Sequence, residues 1–490
     1  MTWSRHGGAA MWVAIGGVLR FWNLDVMEFK GDEREALNLA RDLLSRAPFT
    51  AGWPPAHGMI SSNYVHNAPL FTWIIALFWA MVPNPEFVAS CIAALNTACL
   101  VPLWTWARRT LDDRRALLIV AAAAASPFAV LFSRKIWAQD LLFPALVTLL
   151  WAVYWLRNGR LWIGIALGGV GGLAVGQLHQ SGMIALPLLA VVVCVQLLRD
   201  HRRGQRVLEP GASRLAIAAA IVVVLINAFF WFPYLRYLLT LSSQSVLQAR
   251  PVEDSYAPVL LTKLVLQLVP VDLQSFFLFD RGEFQSTFLR WGVFRLSWLL
   301  GLPVCAYGVW RWLRAPGRIA VFGYWWWVVV GAFAVLRIKT QFFYTLILAP
   351  LPYVLVGGGF DPPRHRLSGW LHAVRWIYVC NLALLAAVTI GWLSDRGGAA
   401  GDYGVSYRVR KQQAEAIVAA ASGATLADHA PLPAALRCGE PGPDVMWLVE
   451  WLDPRAVPGA AALSLCDDWT PVDDDLRYQW RLQKSAGPRR

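Results

Sequence analysis

Two adjacent carboxylates, Asp32 and Glu33, are the residues of this sequence best suited to acid–base chemistry. They follow the first apolar stretch of the chain, and acidic side chains are energetically unfavourable next to lipid. A carboxylate can take the proton from an acceptor hydroxyl while that oxygen attacks, and the pair could also hold a divalent cation. The alternative is a solvated helix start, because the helix dipole favours acidic residues in a first turn. We predict that this pair carries the chemistry.

Two basic turns are candidates for binding an anionic phosphate. Arg134 and Lys135 lie at the end of one apolar stretch, shortly before Asp140, and Arg337 and Lys339 lie at the end of another. Guanidinium and ammonium groups are suited to phosphate oxygens. For the first turn, the alternative is that the basic side chains reach from a helix end to the membrane interface. For the second, it is that the turn is a chance exception to the positive-inside rule.

Several polar side chains could line a cavity for a sugar or a lipid head group. His57, His66 and Asn67 precede a short apolar segment, His179 lies between two apolar stretches, and Tyr344 follows the second basic turn. For each of them the alternative is a position in an exposed loop, at an interface or in a packed helix. The sequence contains no Gly-rich phosphate-binding loop of the Walker or dinucleotide type.

The composition is that of a membrane protein. Of the 490 residues, 57% are hydrophobic and only 15% are charged, whereas soluble proteins carry about 25% charged residues. The net charge of +13 comes from small arginine clusters between apolar runs. This pattern is typical of cytoplasmic loops, so we expect no nucleic-acid partner and a lipid bilayer as the surroundings.

The fold class expected is an all-α polytopic membrane protein. A spanning helix needs roughly 20 apolar residues, and about eleven stretches qualify. Arg5 precedes the first stretch and no small-residue cleavage site follows it, so we predict an uncleaved first span. The predicted spans are residues 9–24, 87–107, 115–132, 140–156, 161–177, 180–198, 214–233, 294–312, 319–336, 341–359 and 371–393.

The segment Ala68–Val82 is strongly apolar but shorter than a span. If it crossed the membrane, Arg108, Arg109 and every later basic loop would change sides. If it lies along the interface, the basic loops fall on one side, as the positive-inside rule requires. We therefore predict an interfacial or re-entrant helix here.

This topology places the N-terminus in the cytoplasm and the C-terminus outside. The outer side then holds a first loop at 25–86 and a large loop at 234–293, together with both basic turns and the Asp32–Glu33 pair. We predict a membrane domain at 1–393 and a small extracytoplasmic region or domain at 394–490. The latter begins with a Gly-rich linker, 396–401, followed by a helix over 408–421.

Seven cysteines divide into two groups. Five fall in apolar runs, where a buried free thiol is the ordinary state, and no Cys/His cluster indicates zinc. Cys438 and Cys466 lie in the polar C-terminal region. If that region is outside the cytoplasm, the two could form a disulfide.

Taken in order, these residues resemble the GT-C membrane glycosyltransferases, in particular the bacterial protein O-mannosyltransferase and aminoarabinose-transferase branch. That branch has a first span ending in arginine and an aromatic residue, an Asp-Glu pair, a "Pro-Pro-Leu" helix on the membrane, a "Ser-Pro … Ser-Arg … Asp" signature and a basic turn before "Tyr … Pro". Asn67 and Ala68 stand where the family has Lys-Pro. The matching residues are Arg20-Phe21, Asp32-Glu33, Asn67-Ala68-Pro69-Leu70, Ser126-Pro127, Ser133-Arg134, Asp140, Lys339, Tyr344 and Pro350.

The resemblance implies an inverting transfer on the extracytoplasmic face of a bacterial cytoplasmic (inner) membrane. The donor would be a sugar linked to polyprenyl phosphate, and the acceptor a hydroxyl or amine on a lipid, a glycan or a protein. Asp32 would be the general base and Glu33 its support, while Arg134, Arg337 and Lys339 would stabilise the phosphate leaving group.

Two other functions are compatible with a polytopic membrane protein. A lipid-linked sugar transporter or flippase would place ionisable residues near the middle of the membrane, and a non-catalytic scaffold would present the C-terminal region. The acids and bases of this sequence cluster at the ends of the predicted spans. That distribution favours an enzyme.

Overall fold

A computed structural model of the chain describes much of the predicted membrane region and part of the C-terminal region. The described residues are 2–48, 54–60, 66–179, 213–240, 287–314, 349–359, 368–399, 403–422, 437–439, 441–457, 463–472 and 475–484, with isolated positions at 182–183, 187, 190–191, 194–195, 269 and 331.

Most described residues are helical, as the composition predicts. The α-helices are α1 (Thr2–Phe21), α2 (Gly31–Ser45), α3 (Leu70–Met81), α4 (Pro85–Ala98), α5 (Leu100–Thr110), α6 (Asp113–Ala125), α7 (Pro127–Phe132), α8 (Leu142–Arg157), α9 (Leu161–Leu178), α10 (Ser213–Thr240), α11 (Phe288–Arg314), α12 (Leu351–Val356), α13 (Ser368–Arg396), α14 (Tyr407–Ala421) and α15 (Pro443–Leu452). Three-residue or four-residue 3-10 helices occupy Leu24–Val26, Ala138–Leu141 and Pro454–Ala456.

In the described part of the chain, six helical stretches are long and apolar enough to cross a membrane. Each overlaps a predicted span, and together they make this a multi-pass membrane protein. They are Pro85–Thr110, Ala138–Arg157, Leu161–Leu178, Arg214–Thr240, Leu289–Arg314 and Gly369–Arg396. The total of about eleven stays a prediction. The predicted spans 9–24 and 115–132 are described as helices but are not among these six, and most of 180–198 and 319–336 and part of 341–359 fall outside the described residues.

The predicted span 115–132 is divided into two helices, α6 and α7. Proline has no backbone N–H to continue a helix, and Pro127 stands at the first position of α7. The Ser126 hydroxyl accepts a hydrogen bond from the backbone N–H of Ala129 at 3.3 Å. Ser126 is therefore the N-cap of the second helix, and the "Ser-Pro" pair marks a break that the apolar pattern alone did not indicate.

Helix α3 confirms a helix where Ala68–Val82 was predicted to form one. It runs from Leu70 to Met81 and contains no charged residue. Phe71 and Ile75 are buried, whereas Leu77 and Met81 are largely exposed. The location of this helix along the membrane surface stays a prediction.

The chain divides into two compact units. The first comprises the described residues within 1–21, 36–272 and 296–384, and the second those within 22–35, 273–295 and 385–490. The second unit therefore combines the segment that carries Asp32 and Glu33 with the C-terminal region. The predicted boundary between 1–393 and 394–490 remains a prediction.

Two arginines anchor the start of the first unit. Arg20, in the last turn of α1, is fully buried and donates hydrogen bonds to the carbonyl oxygens of Ala123 at 3.1 Å and Ala124 at 3.2 Å. Arg134 donates in return to the carbonyl oxygen of Leu19 at 2.9 Å. The last carbonyl groups of an α-helix have no hydrogen-bond partner in their own helix. Arg20 donates to such carbonyls at the end of α6, and Arg134 donates to one at the end of α1.

The second unit adds strands to the expected all-α fold. Gly398–Ala399 (β1) pairs antiparallel with Gly404–Val405 (β2), where a Gly-rich linker was predicted. Gly398 and Gly404 have φ values of 133° and 72°, which glycine adopts without strain. Part of the predicted linker, Gly398–Ala399, is therefore a strand.

Further on, Arg437–Gly439 (β3), Leu463–Val472 (β4) and Asp475–Lys484 (β5) form an antiparallel sheet in that order. Helix α14 confirms the helix predicted over 408–421, beginning one residue earlier.

Candidate active site

The predicted acidic pair lies in the first turn of α2. Gly31 is the first helical residue, and the carbonyl oxygen of Lys30 accepts the first hydrogen bond of the helix, from Arg34 at 3.1 Å. Lys30 is therefore the N-cap residue. Asp32 is exposed and Glu33 is fully buried, so the two neighbouring carboxylates have different surroundings.

Glu33 stabilises the beginning of the helix. Its Oε2 accepts a hydrogen bond from the backbone N–H of Lys30 at 3.0 Å. This is the contact that a glutamate at the third helical position makes in a capping box. Asp32, one position earlier, presents its carboxylate at the surface, where the positive end of the helix dipole favours the ionised form.

Glu28 is a buried acidic residue that the sequence analysis did not single out. It is 0% exposed and forms an ion pair with Lys30. A buried carboxylate close to a candidate base is notable, because burial of an ionised acid requires a partner. In sequence it looks like any acid between apolar residues, so no local signal distinguishes it.

The first basic turn is buried, and its described contacts are with the protein. Arg134 and Lys135 are 3% and 1% exposed. Besides the contact of Arg134 with Leu19, the Lys135 Nζ lies 3.6 Å from the centre of the Trp137 ring and 5.1 Å from that of Phe132. Such cation–π contacts hold the ammonium group in place.

Asp140 shapes the same turn. Its Oδ2 accepts a hydrogen bond from the backbone N–H of Trp137 at 3.1 Å, and its carbonyl oxygen accepts one from the Asn96 side chain at 2.9 Å. Asp140 is buried. Arg134, Lys135 and Asp140 thus belong to one closely packed turn, as their spacing predicts.

The predicted polar residues of the first loop do come together. The rings of His57 and His66 are 4.1 Å apart, and the His66 Nδ1 lies 2.6 Å from the Tyr237 hydroxyl. The Tyr234 hydroxyl donates to the carbonyl oxygen of His66 at 2.8 Å. Two backbone hydrogen bonds of 2.7 Å join Asn67 to Gly58 and Met59.

Sequence reasoning missed the two tyrosines of this cluster. They lie three residues apart at the end of α10, and that spacing puts them on one face of a helix. Burial, and to a smaller extent His57, lowers the pKa of His66. His66 is therefore kept as a neutral imidazole beside a second histidine.

His179 follows the last residue of α9 and is 4% exposed. Its carbonyl oxygen accepts a hydrogen bond from the backbone N–H of Gly182 at 2.9 Å. Arg337, Lys339 and Tyr344 lie outside the described residues. Within the residues that the structure describes, no three His, Cys, Asp or Glu side chains are grouped as a metal ion would require.

Comparison with known proteins gives one sequence match and several structural ones. Residues 66–240 match the family model described as dolichyl-phosphate-mannose-protein mannosyltransferase. No curated protein matches the sequence.

Among solved structures, the chain is similar to ArnT from Cupriavidus metallidurans bound to undecaprenyl phosphate, with 14% sequence identity and a TM-score of 0.51. The aligned region covers 92% of this chain and 89% of the ArnT chain. For the same protein in the apo state, the identity is 15% and the TM-score is 0.50. That alignment covers 86% of this chain and 81% of the ArnT chain. At these identities the likeness concerns the fold.

Proposed function

We propose that this chain is a GT-C glycosyltransferase, which transfers a sugar from a polyprenyl-phosphate donor to an acceptor hydroxyl or amine, with inversion at the anomeric carbon. The observation that carries the proposal is the exposed carboxylate of Asp32 in the first turn of α2. It is supported by the family match over 66–240 and by the fold of ArnT, which is seen with undecaprenyl phosphate bound.

In this proposal Asp32 acts as the general base. Its carboxylate takes the proton from the acceptor as the acceptor oxygen or nitrogen attacks the anomeric carbon. The bond to the acceptor forms on the face opposite the leaving group, and the bond between the anomeric carbon and the phosphate oxygen breaks. Polyprenyl phosphate leaves with the bonding electron pair, and the sugar configuration is inverted. Glu33 holds the helix turn from which Asp32 projects.

Negative charge on the departing phosphate requires positive partners. We assign this task to Arg134, Lys135, Arg337 and Lys339, since fixed cations stabilise charge that develops in a transition state. The buried guanidinium of Arg134 is held by Leu19, which would restrict it to one orientation. No step of the proposed reaction passes through a divalent cation.

The donor or acceptor cavity would be lined by Asp140, His57, His66, Asn67, His179 and Tyr344. The grouping of His57, His66 and Asn67 with two tyrosines supports this assignment for the loop residues, because sugar hydroxyls are bound by such donors and acceptors.

The proposal also includes the predicted topology. The reaction would take place on the extracytoplasmic face of a bacterial inner membrane, with the N-terminus cytoplasmic and the C-terminus outside. A lipid-carried donor fits this location, because the acceptor site then needs no nucleotide sugar from the cytoplasm. The acceptor would be a lipid, a glycan or a protein.

The substitution Asp32→Asn tests the general base. It removes the proton acceptor and keeps the size of the side chain, so turnover should fall by about 10²–10⁴-fold while thermal stability is retained. Asp42→Asn is the matched control, because Asp42 is an exposed acid on the same helix that pairs with Arg46. Transfer would be measured with a panel of radiolabelled undecaprenyl-phosphate sugars in proteoliposomes that contain acceptor membrane extract.

Unchanged turnover in the Asp32→Asn protein would contradict the assignment of the base. The same proteoliposomes distinguish the transporter alternative. Movement of the labelled lipid across the bilayer without transfer of the sugar would support a flippase and contradict the glycosyltransferase.

A further inference from the structure

We infer that residues 403–422 and 441–452 of the C-terminal region position the segment that carries the candidate base. The segment is residues 22–35, named here the acidic loop, and the positioning residues are Arg408 and Asp444, which pair with Asp25 and Arg34 of that loop. The inference rests on the proposed function. It adds a task for the C-terminal region that neither the family match nor the fold assigns.

The backbone of the acidic loop is contacted by the C-terminal region at three consecutive residues, Val26, Met27 and Glu28. The Tyr403 hydroxyl donates to the carbonyl oxygen of Val26 at 2.6 Å. The backbone N–H of Tyr407 donates to the carbonyl oxygen of Met27 at 2.8 Å. Glu28 then forms an antiparallel bridge with Ser406. Three successive attachments of this kind determine the path of the backbone as well as its position.

A bidentate ion pair holds the beginning of the loop. The Arg408 Nε and Nη2 donate to the two carboxylate oxygens of Asp25 at 2.7 and 2.8 Å. The third nitrogen, Nη1, donates to the Ser394 hydroxyl at 2.9 Å, which also accepts a hydrogen bond of 3.4 Å from Asn23. Two parallel hydrogen bonds to one carboxylate specify orientation as well as distance.

Aromatic packing anchors the middle of the loop. Phe29 is 1% exposed, and its ring centre lies 5.4 Å from that of Tyr407 and 5.8 Å from that of Trp447. These separations are typical of favourable aromatic pairs. Phe29 is three residues before Asp32, so its burial fixes the chain just ahead of the helix that presents the base.

The end of the loop is held next to the base itself. The Arg34 Nη1 lies 2.9 Å from the Asp444 Oδ1, and Asp444 is in the first turn of α15. The acidic loop is thus attached to residues 403–422 and 441–452 before the turn that carries Asp32, at residues 25–29, and at the end of that turn, at Arg34. Displacing a reacting group by about 1 Å can lower a rate about 10²-fold, so contacts of this kind should affect turnover directly.

The experiment reverses the charges of one pair in the full-length protein. Arg34→Asp and Asp444→Arg are made singly and together, and kcat and donor KM are measured with the undecaprenyl-phosphate sugar panel. Each single change should lower kcat at least about tenfold with donor KM within about twofold, because a shifted base affects the chemical step. The combined change should recover most of the loss, since it restores an opposite-charge pair. Asp42→Arg with Arg46→Asp, an exposed pair at the end of α2, is the matched control.

A second measurement does not depend on catalysis. Hydrogen exchange of the backbone amides of residues 24–35 should be faster in each single variant and return to the wild-type rate in the combined variant. Wild-type kcat and wild-type exchange in both single variants would overturn the inference. If the wild-type protein transfers no sugar from the panel, the proposed function fails, while the exchange rates still decide whether the C-terminal region orders the acidic loop.

Discussion

Asp32 and Glu33 are adjacent, yet their side chains have different tasks in the structure. Glu33 is buried and accepts a hydrogen bond from the N-cap residue of α2, whereas Asp32 faces outward from the same turn. A general base must reach the acceptor, so only the exposed member of the pair meets that requirement. The buried member determines where the exposed one points.

His66 provides a prediction on pH. Burial, then His57, lowers the pKa of His66, so the unfolded chain binds a proton there at higher pH than the folded protein does. The neutral His66 side chain therefore makes its full contribution to the free energy of unfolding above the ordinary histidine pKa, about 6.5. That contribution is lost as the pH falls below this value. The unfolding temperature of the purified protein should therefore decrease between pH 7.5 and 5, and His66→Gln should reduce that decrease.

Equal slopes for the His66→Gln and wild-type proteins would show that His66 makes no such contribution.

At the scale of elements, the C-terminal region begins with two short strands and a helix that follow α13 in close succession. The strands β1 and β2 pair shortly after α13, and α14 begins two residues after β2. Tyr403 directly precedes β2, and Tyr407 and Arg408 lie in the first turn of α14. All three contact the acidic loop.

The register of β3 and β4 leads to a prediction about the cysteines. Cys438 lies directly opposite Cys466 in the antiparallel pair. Opposite residues of such a pair have Cα atoms about 4.5–5.5 Å apart, within the range of about 4.4–6.8 Å that a disulfide spans. We predict a Cys438–Cys466 disulfide in protein isolated from an oxidising compartment.

Alkylation before and after reduction checks this prediction. With a maleimide-polymer reagent, reduction should expose two additional thiols in the wild-type protein and none in the Cys438→Ser protein, in which Cys466 is already free. Cys380→Ser, at an exposed cysteine outside these strands, is the matched control. Full labelling of both cysteines without reduction would contradict the pairing.

At the scale of the whole molecule, the residues of the proposed reaction belong to two compact units. The unit whose bounds include the family match at 66–240 holds the basic turn with Arg134 and the histidine cluster. The other contains the acidic loop and the C-terminal region. The C-terminal region is therefore more than an appendage of a membrane domain, because it packs with the segment that carries the candidate base.

Topology is the prediction that belongs to this scale. Asp42 and Asn158 are both exposed; the first lies in the predicted outer loop 25–86, and the second lies between Arg157 and Arg160 in a predicted cytoplasmic loop. A membrane-impermeant maleimide should label Asp42→Cys in spheroplasts and Asn158→Cys only after the membrane is opened. The unsubstituted protein measures labelling of the native cysteines. The reverse pattern would invert the proposed sidedness.

Local patterns in the sequence determined the membrane class, the positions of six apolar helical stretches and the helices at 70–81 and 407–421, because apolar length and periodicity act within one element. They also singled out Asp32, Glu33 and the loop histidines. The break at Ser126–Pro127 had a local signal, a proline after a capping residue, that the apolar run obscured.

Only the tertiary structure decided which residues accompany the candidate base. Asp25 and Arg408 are 383 positions apart, and His66 and Tyr237 are 171 apart, so no periodicity or spacing connects them. Whether a carboxylate is buried, as in Glu28 and Glu33, or exposed, as in Asp32, depends on what other segments pack against it. The sequence thus identified the acids, and the folded chain separated the buried one that supports the helix from the exposed one that we propose as the base.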